Sequence, residues 1–570
     1  MDTRPVNTNP AIVTRAGAQR LPRLALLALC AAYVLMGFAG RSAWKSADMT
    51  AVGYMAELAR QGSDWWHPTL LGQASDQGAL LPYWLGAWMM NLSPDADPTA
   101  WWVRLPFALF LVLSMAASWY GTYFLARSES AQPISFAFGG QAAPADYART
   151  MADGGLLALI ACLGLAQLAH ETTPELVQMG FVTVLFAGIS AMPVRTLVAC
   201  VAVSVGLLGL TLSGAPALAL VLGAGGLLFE LHQLRLQTTP TGAGAPRAGA
   251  LTLALAMAAS AALATLLHLW RWKVSSPPDA LAHWHGYGQL LLWFTWPAWP
   301  LSLWTLWVWR KHIFSRHVGR HLALPLWFVL VTLSATWWME ASDHTLLLCL
   351  PAMATLAALA LPTLKRQVAS LIDWFTLLFF TGCGIAVWVH CIGMLTGFPA
   401  NPATNIARLA PGFEAHFSWW ALLMGLTATA AWGLLVHWRV GRHRPVLWRS
   451  LVLPAGGAAW CWTLLMSMGL PLLDYTQSYD SWARLVALQI QSPGCVTSQN
   501  LDSGQAAALR WIGQLPLKSP AALQSCPWML VAPSADDALP DAIDTSLWEA
   551  KTLVRHPSDG HIAVWVLKRR

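Results

Sequence analysis

RSAWKSADMTAVGYMAELARQGSDWWHPTLLGQASDQGALLPYWLGAW, residues 41–88, runs on through a short acidic bridge to WWVRLP at 101–106, and its reading decides the fold. It lies between two long apolar segments and is far more polar than either. It carries Asp48, Glu57, Asp64 and Asp76 among interleaved aromatic and basic side chains. A connector of this length between membrane spans is as a rule functional or disordered. Its density of Trp and Tyr argues for order.

The surrounding chain is strongly apolar: 56% of its 570 residues are hydrophobic and 11% are charged, where a soluble domain has about 25% charged residues. The deficit and the repeated apolar runs predict an all-α polytopic membrane protein. About 13 transmembrane helices are expected, over 23–40, 104–126, 153–170, 174–191, 193–212, 214–234, 249–270, 288–309, 321–339, 344–361, 371–396, 415–438 and 449–470. Residues 1–22 form the N-terminus, 23–473 the membrane domain and 474–570 a C-terminal domain.

Lys and Arg gather in one set of connectors: Arg15, Arg20 and Arg23, then 310–320, 364–367 and 439–449. The short connectors of the opposite set hold only Arg408. The positive-inside rule therefore places the N-terminus in the cytoplasm, and 41–103, 271–287 and the C-terminus outside. The same distribution accounts for the net charge of +7 by topology rather than by nucleic-acid binding.

After Leu473 the apolar runs stop. Helix-like stretches (482–491, 503–514) and the strand-like CPWMLVA and HIAVWVL predict a small extracytoplasmic α/β domain. Cys495 and Cys526 stand in it as candidates for a disulfide, while the other seven cysteines lie in apolar spans.

Asp48 follows the first span closely, which puts a carboxylate near the membrane surface. There it could act as a general base toward an acceptor hydroxyl or bind a divalent cation beside a phosphate; a solvated loop acid is the alternative. Val52, Met55, Ala56 and Ala59 recur at helical spacing, so Thr50–Arg60 is expected to form an amphipathic helix lying on the membrane. Residues 79–92 read as a second interfacial helix.

The order Trp44, Asp48, Tyr54-Met55, Gly62, Asp64-Trp65, Pro68, Gly72, Tyr83-Trp84 and Arg104-Leu105-Pro106 resembles the first extracytoplasmic loop of GT-C glycosyltransferases. The nearest branch, of glycosyltransferase family 39 type, holds the protein O-mannosyltransferases and the lipid A aminoarabinose transferases. The resemblance implies a GT-C-like membrane domain set in a bacterial inner membrane. It also implies an enzyme that moves a sugar, with inversion, from a polyprenyl-phosphate carrier to an extracytoplasmic acceptor: a membrane lipid such as lipid A, a glycan or a protein. It points to Asp48 as the catalytic carboxylate that takes the acceptor proton and to Tyr83 and Trp84 as substrate contacts. Two positions differ from the family pattern: Met49 stands where an Asp-Glu pair would place Glu, and Gly78 where a Lys would face the carrier phosphate. Asp76 is the nearest candidate for the acid of that second element.

Other outward connectors supply further candidates. Glu175 and Glu171 are acids in the 170–175 turn, with helix capping ahead of Pro174 as the competing reading. Arg104, Arg271, Lys273, His283 and His344 are candidate phosphate contacts. Anchoring among lipid headgroups is the alternative for the arginines. His283 and His285 could touch a metal but lack a nearby acid, so no cofactor beyond a divalent cation is implied. Two rival functions remain. A flippase or transporter of lipid-linked sugars is disfavoured by spans almost free of Asp, Glu, Lys and Arg. A GT-C-like carrier-lipid-binding protein impaired in catalysis accords with Met49 and Gly78.

Overall fold

The computed structural model describes all residues except 1–8, 61, 76–77, 93–100, 237–243, 271–279, 314–318, 339–342, 441–445, 491–493, 519–525, 535–536 and 542. The apolar stretches are helical because hydrocarbon offers no partner for a free backbone N–H or C=O. Among the described residues, eight helices are long and apolar enough to cross a membrane, and two further apolar helices, Arg23–Phe38 and Thr196–Leu212, are shorter. Two expected spans are broken in the middle. Residues 153–170 fall into Pro144–Ala161 and Leu163–Leu168, and 288–309 into Ala280–Phe294 and Ala298–Val308. The second break coincides with Pro297, which has no N–H to offer a helix. The described helices thus support eight crossings by length and composition, not the full expected set.

The elements that position the site are α1 (Arg23–Phe38), α2 (Ala47–Leu58), α3 (Leu81–Asn91), α4 (Leu105–Ala126), α5 (Pro144–Ala161), α6 (Leu163–Leu168) and α7 (Pro174–Ala191). Helix α7 is the centre of the bundle, 94% buried, while Trp419–Arg439 on the periphery is 11% buried. Between α2 and α3 lies a two-residue hairpin, β1 (Thr69–Leu70) and β2 (Gln73–Ala74).

The C-terminal domain is a five-stranded sheet of β3 (Val496–Gln499), β4 (Leu517–Lys518), β5 (Trp528–Val531), β6 (Trp548–His556) and β7 (Asp559–Arg569). Its order is β4-β3-β5-β7-β6, with β3 parallel to both neighbours and the remaining pairs antiparallel. The parallel β3–β4 connection is made by the helix Ser503–Trp511. That helix starts on a capping box, with the Asp502 side chain accepting from its first turn and Gln505 closing the reciprocal bond. Cys495 and Cys526 are joined by a disulfide, Cα–Cα 5.1 Å.

Helix α2 does not lie on a membrane surface. It is buried along most of its length, including Met49, Val52, Tyr54, Met55 and Leu58, because it is clamped from two sides. A Cβ at Gly53 would stand 2.6 Å from the Ala507 Cβ, and one at Gly86 of α3 would stand 2.2 Å from the Met55 sulfur. The Ala507 Cβ cannot rotate away, so the contact at Gly53 needs glycine. Arg510 closes the clamp, its Nε 2.7 Å from Glu57. At the start of α2, Lys45 reaches Asp559 at 3.0 Å, and Trp44 forms an isolated bridge with Ser478. The loop and the C-terminal domain thus sit together on one face of the bundle.

Candidate active site

Asp48 lies in the first turn of α2 with its side chain fully buried. Its Oδ2 accepts from Arg41 Nη2 at 2.8 Å, from the Trp44 backbone N–H at 3.2 Å and from Arg104 Nη2 at 3.4 Å. Its Oδ1 accepts from the Thr172 backbone N–H at 2.8 Å and from the Thr172 hydroxyl at 2.5 Å. Three parts of the chain converge here: Arg41 just past α1, Arg104 just ahead of α4, and Thr172 just ahead of α7. Burial pushes the Asp48 carboxyl up, but Arg104, Arg41 and Thr172 outweigh it and hold its pKa at about 2. Asp48 is therefore an ionised, saturated acceptor. Its two oxygens accept from five donors, two of them guanidinium groups. Among the described residues no group of three or more His, Cys, Asp or Glu could hold a metal.

The arginines are less completely satisfied. Arg41 stacks over the Trp44 ring at 4.2 Å, yet its Nε and Nη1, and Nη1 of Arg104, are buried without a hydrogen-bond acceptor among the described residues. An unmet buried donor is costly, more so when charged, and such orphans call for an explanation. Asp474, at the end of the bundle, accepts from Trp44 Nε1 at 2.7 Å and from the Ser42 backbone N–H. Burial raises its pKa against the opposing pull of Trp44, Ser42 and the two arginines. Glu171, adjacent to Thr172 and 4% exposed, receives His344 Nε2 at 2.7 Å. Asp343 lies 3.3 Å from His344 Nδ1. The turn carrying Glu171 and Thr172 is pressed against α1, where Gly37 leaves the space that the His170 ring fills.

No protein-family model matches the chain, and no curated protein does. Among solved structures, ArnT from Cupriavidus metallidurans bound to undecaprenyl phosphate superposes with a TM-score of 0.58 at 13% sequence identity, over 96% of this chain and 97% of that one. The apo state of ArnT from the same organism gives 0.59 at 13% identity over the same shares. The chain has the GT-C fold.

Within this GT-C fold the sequence candidates separate. Asp48, Arg104, Glu171 and His344 gather around one site. Glu175, in the first turn of α7, is buried nearby and acts electrostatically on His344. Tyr83 and Trp84 belong to an aromatic layer instead. Tyr83 stacks on Tyr54 at 5.1 Å and its hydroxyl meets Ser75 at 3.0 Å, while Trp84 Nε1 donates to the Trp65 carbonyl. Met49 is core, 1% exposed, so no second carboxylate stands beside Asp48 on α2. Gly78 closes a turn at φ 61°. Asp76, Arg271, Lys273 and the His283 side chain lie outside the described residues.

Three site residues escape the sequence reading. Arg41 reads as the boundary of a span, although an arginine seven residues before Asp48 was a usable signal. Thr172 and Thr173 both read as helix caps ahead of Pro174; Thr173 takes the cap position, without a side-chain cap bond, and Thr172 turns to Asp48. Asp474 is the first acid after the last apolar run, a position equivalent to that of Asp48 after the first.

Proposed function

We propose that this protein is an integral membrane glycosyltransferase that takes a sugar from a polyprenyl-phosphate carrier and transfers it to a lipid, glycan or protein acceptor on the extracytoplasmic face. The observation that carries the reading is the buried Arg41–Asp48–Arg104 cluster with its three unpartnered guanidinium nitrogens. Asp48 holds the two arginines side by side, and their remaining N–H groups suit the oxygens of a phosphate. In a water-poor site such donors would stabilise the negative charge that grows on the leaving phosphate. ArnT of Cupriavidus metallidurans, with the same fold, is known bound to undecaprenyl phosphate, which supports a carrier of that chemistry here.

A place for an isoprenoid tail fits the same picture. A largely apolar groove of about 690 Å³ runs between α1, α4 and α5, past Val34, Leu35, Val112 and Met115, with Arg20, Arg23, Arg149 and Asp153 at the end away from Arg41 and Arg104. Arg41 follows the end of α1 and Arg104 precedes the start of α4, so both arginines mark the ends of the two helices that line it. In this scheme the acceptor hydroxyl attacks the sugar C1, the C1–O bond to phosphate breaks, and the configuration at C1 inverts. Asp48 is a positioning residue with no free lone pair toward an acceptor. The proton passes instead to the Glu171 carboxylate, which His344 Nε2 orients from 2.7 Å.

The test is sugar transfer in proteoliposomes supplied with labelled carrier lipid. The intact chain transfers label, and well-folded Asp48→Asn loses transfer by at least about 100-fold, or about 2.7 kcal/mol of transition-state stabilisation. Undiminished transfer by that variant would remove the cluster from the chemistry. The burial of Met49, which denies Asp48 a carboxylate neighbour, favours one second reading: a protein that binds carrier lipid without turnover. Carrier binding with no transfer by the intact chain would select it.

A further inference from the structure

Beside the ionic cluster, the same loop helps to build a second cavity of different chemistry. The β1–β2 hairpin meets the turn between β3 and the helix Ser503–Trp511, and the two enclose about 250 Å³. Gln73 comes from the hairpin, Ser498, Gln499 and Asn500 from the carboxyl end of β3 and the turn after it, and Ser503 from the first helical turn. No charged side chain lines this space. Ser498 is 5% exposed, and neither its hydroxyl nor the side chains of the other four have a hydrogen-bond partner among the described residues. Ser498 is buried at the back of the cavity, while Gln73 and Asn500 are exposed at its rim, so an entering polar group would meet hydroxyl and amides together. Two lining residues, Leu71 at φ 51° and Asn500 at φ 57°, hold the left-handed conformation, which for Leu is rare and is retained where the surroundings or a function require it. The cavity also lies at the carboxyl end of a parallel strand, where open α/β sheets commonly place ligands.

We propose that this cavity binds one neutral sugar residue of the acceptor glycan. Amides and hydroxyls offer donors and acceptors together, which matches a ring of sugar hydroxyls, whereas an anion would find no cation here. The volume falls just below the roughly 300–1,000 Å³ of sites for drug-sized ligands, which suits a single ring. The cavity is coupled to the ionic cluster through its floor. A Cβ at Gly504, next to Ser503, would stand 2.8 Å from the Ser46 carbonyl and 3.2 Å from the Thr50 hydroxyl, so the helix that supplies Ser503 packs on the turn of α2 that carries Asp48. The word acceptor rests on the transferase reading above; the binding of a neutral sugar does not.

The experiment is saturation-transfer NMR on the full-length protein in detergent, with maltose and N,N′-diacetylchitobiose as neutral ligands and glucuronate and inorganic phosphate as anionic ones. At least one neutral disaccharide receives saturation from the intact chain and the anions do not. Ser498→Val and Gln73→Ala, on opposite walls, each weaken that binding by about tenfold or more while thermal unfolding stays unchanged. Failure of both neutral sugars to bind, binding indifferent to both variants, or preference for the anions overturns the assignment. In the transfer assay the two variants raise the acceptor KM and leave the carrier KM alone, and an unchanged acceptor KM also overturns it. Absence of transfer in the intact chain would strike the transferase reading instead, and the NMR titration would still judge the cavity.

Discussion

Two regions of loop 41–106 present opposite kinds of polarity on one face of the bundle. Around Asp48 the chemistry is ionic: two arginines and a carboxylate are sealed from water, and the residual hydrogen-bonding capacity lies on guanidinium nitrogens. Around Gln73 it is neutral: amides and hydroxyls line an open cavity and the residual capacity is shared between donors and acceptors. The first arrangement suits a phosphate and the second suits hydroxyls. Helix α2 and the hairpin after it hold the two a short distance apart, with the C-terminal domain as the common wall. A transferase needs both kinds of surface, one for a charged leaving group and one for an uncharged acceptor.

The ionic half breaks most easily. Arg104→Ala leaves Asp48 with one guanidinium partner, and breaking a buried pair costs about 3–5 kcal/mol. A loss of carrier-dependent transfer of at least about 100-fold is expected. Arg104→Lys restores the charge but not the fork, so it recovers folding, read by thermal unfolding, with little transfer. Recovery of full transfer by Lys would show that only charge matters there.

The wall between the halves is the next target. Gly53→Ala forces a Cβ to 2.6 Å from Ala507 and should destabilise by about 1–3 kcal/mol as an overpacked contact. Ala507→Gly in the same chain relieves the clash. Rescue of thermal stability by the double variant, with coupling of about 1 kcal/mol, is the expected reading. Simple additivity of the two single effects would show that the helices do not touch in this way.

A smaller effect is expected from pH. The Asp48 pKa is lowered from 3.8 to about 2 in the folded chain, so its contribution is complete above pH 3.8 and is lost as pH falls through 2. For a fully buried group that shift is worth about 2 kcal/mol. The stability gap between the intact chain and Asp48→Asn should therefore be constant from pH 5 to 8 and shrink only in strong acid. A gap that closes between pH 5 and 7 would contradict the ionised, arginine-held state.

How much of this was legible in the sequence depended on distance along the chain. The apolar runs announce helices because hydrocarbon permits little else, and the polar turn of composition after Leu473 marks the C-terminal domain. The position of Asp48 near a membrane face follows from its place after the first apolar run. The surroundings of α2 do not. Its covering partners Ala507 and Arg510 lie some 450 residues away, so apolar spacing in Thr50–Arg60 read as a surface helix when it is a clamped one. Thr172 is a second case. Local rules make it a cap for α7, and only the packing of α1 against the 170–173 turn turns both of its donors onto Asp48. Tyr83 and Trp84, drawn toward the substrate by their place in the loop, instead pack against Tyr54, Trp65 and Trp66.

The central claim is that the Arg41–Asp48–Arg104 cluster receives the phosphate of a polyprenyl carrier. Native mass spectrometry of the full-length protein, titrated with polyprenyl phosphate and with the matching polyprenyl alcohol, addresses it directly. The account predicts a preference for the phosphate of about 100-fold or more, about 2.7 kcal/mol, that collapses in Arg104→Ala while binding of the alcohol is unchanged. Equal affinity for phosphate and alcohol, or a preference that survives in Arg104→Ala and Arg41→Ala alike, would contradict it.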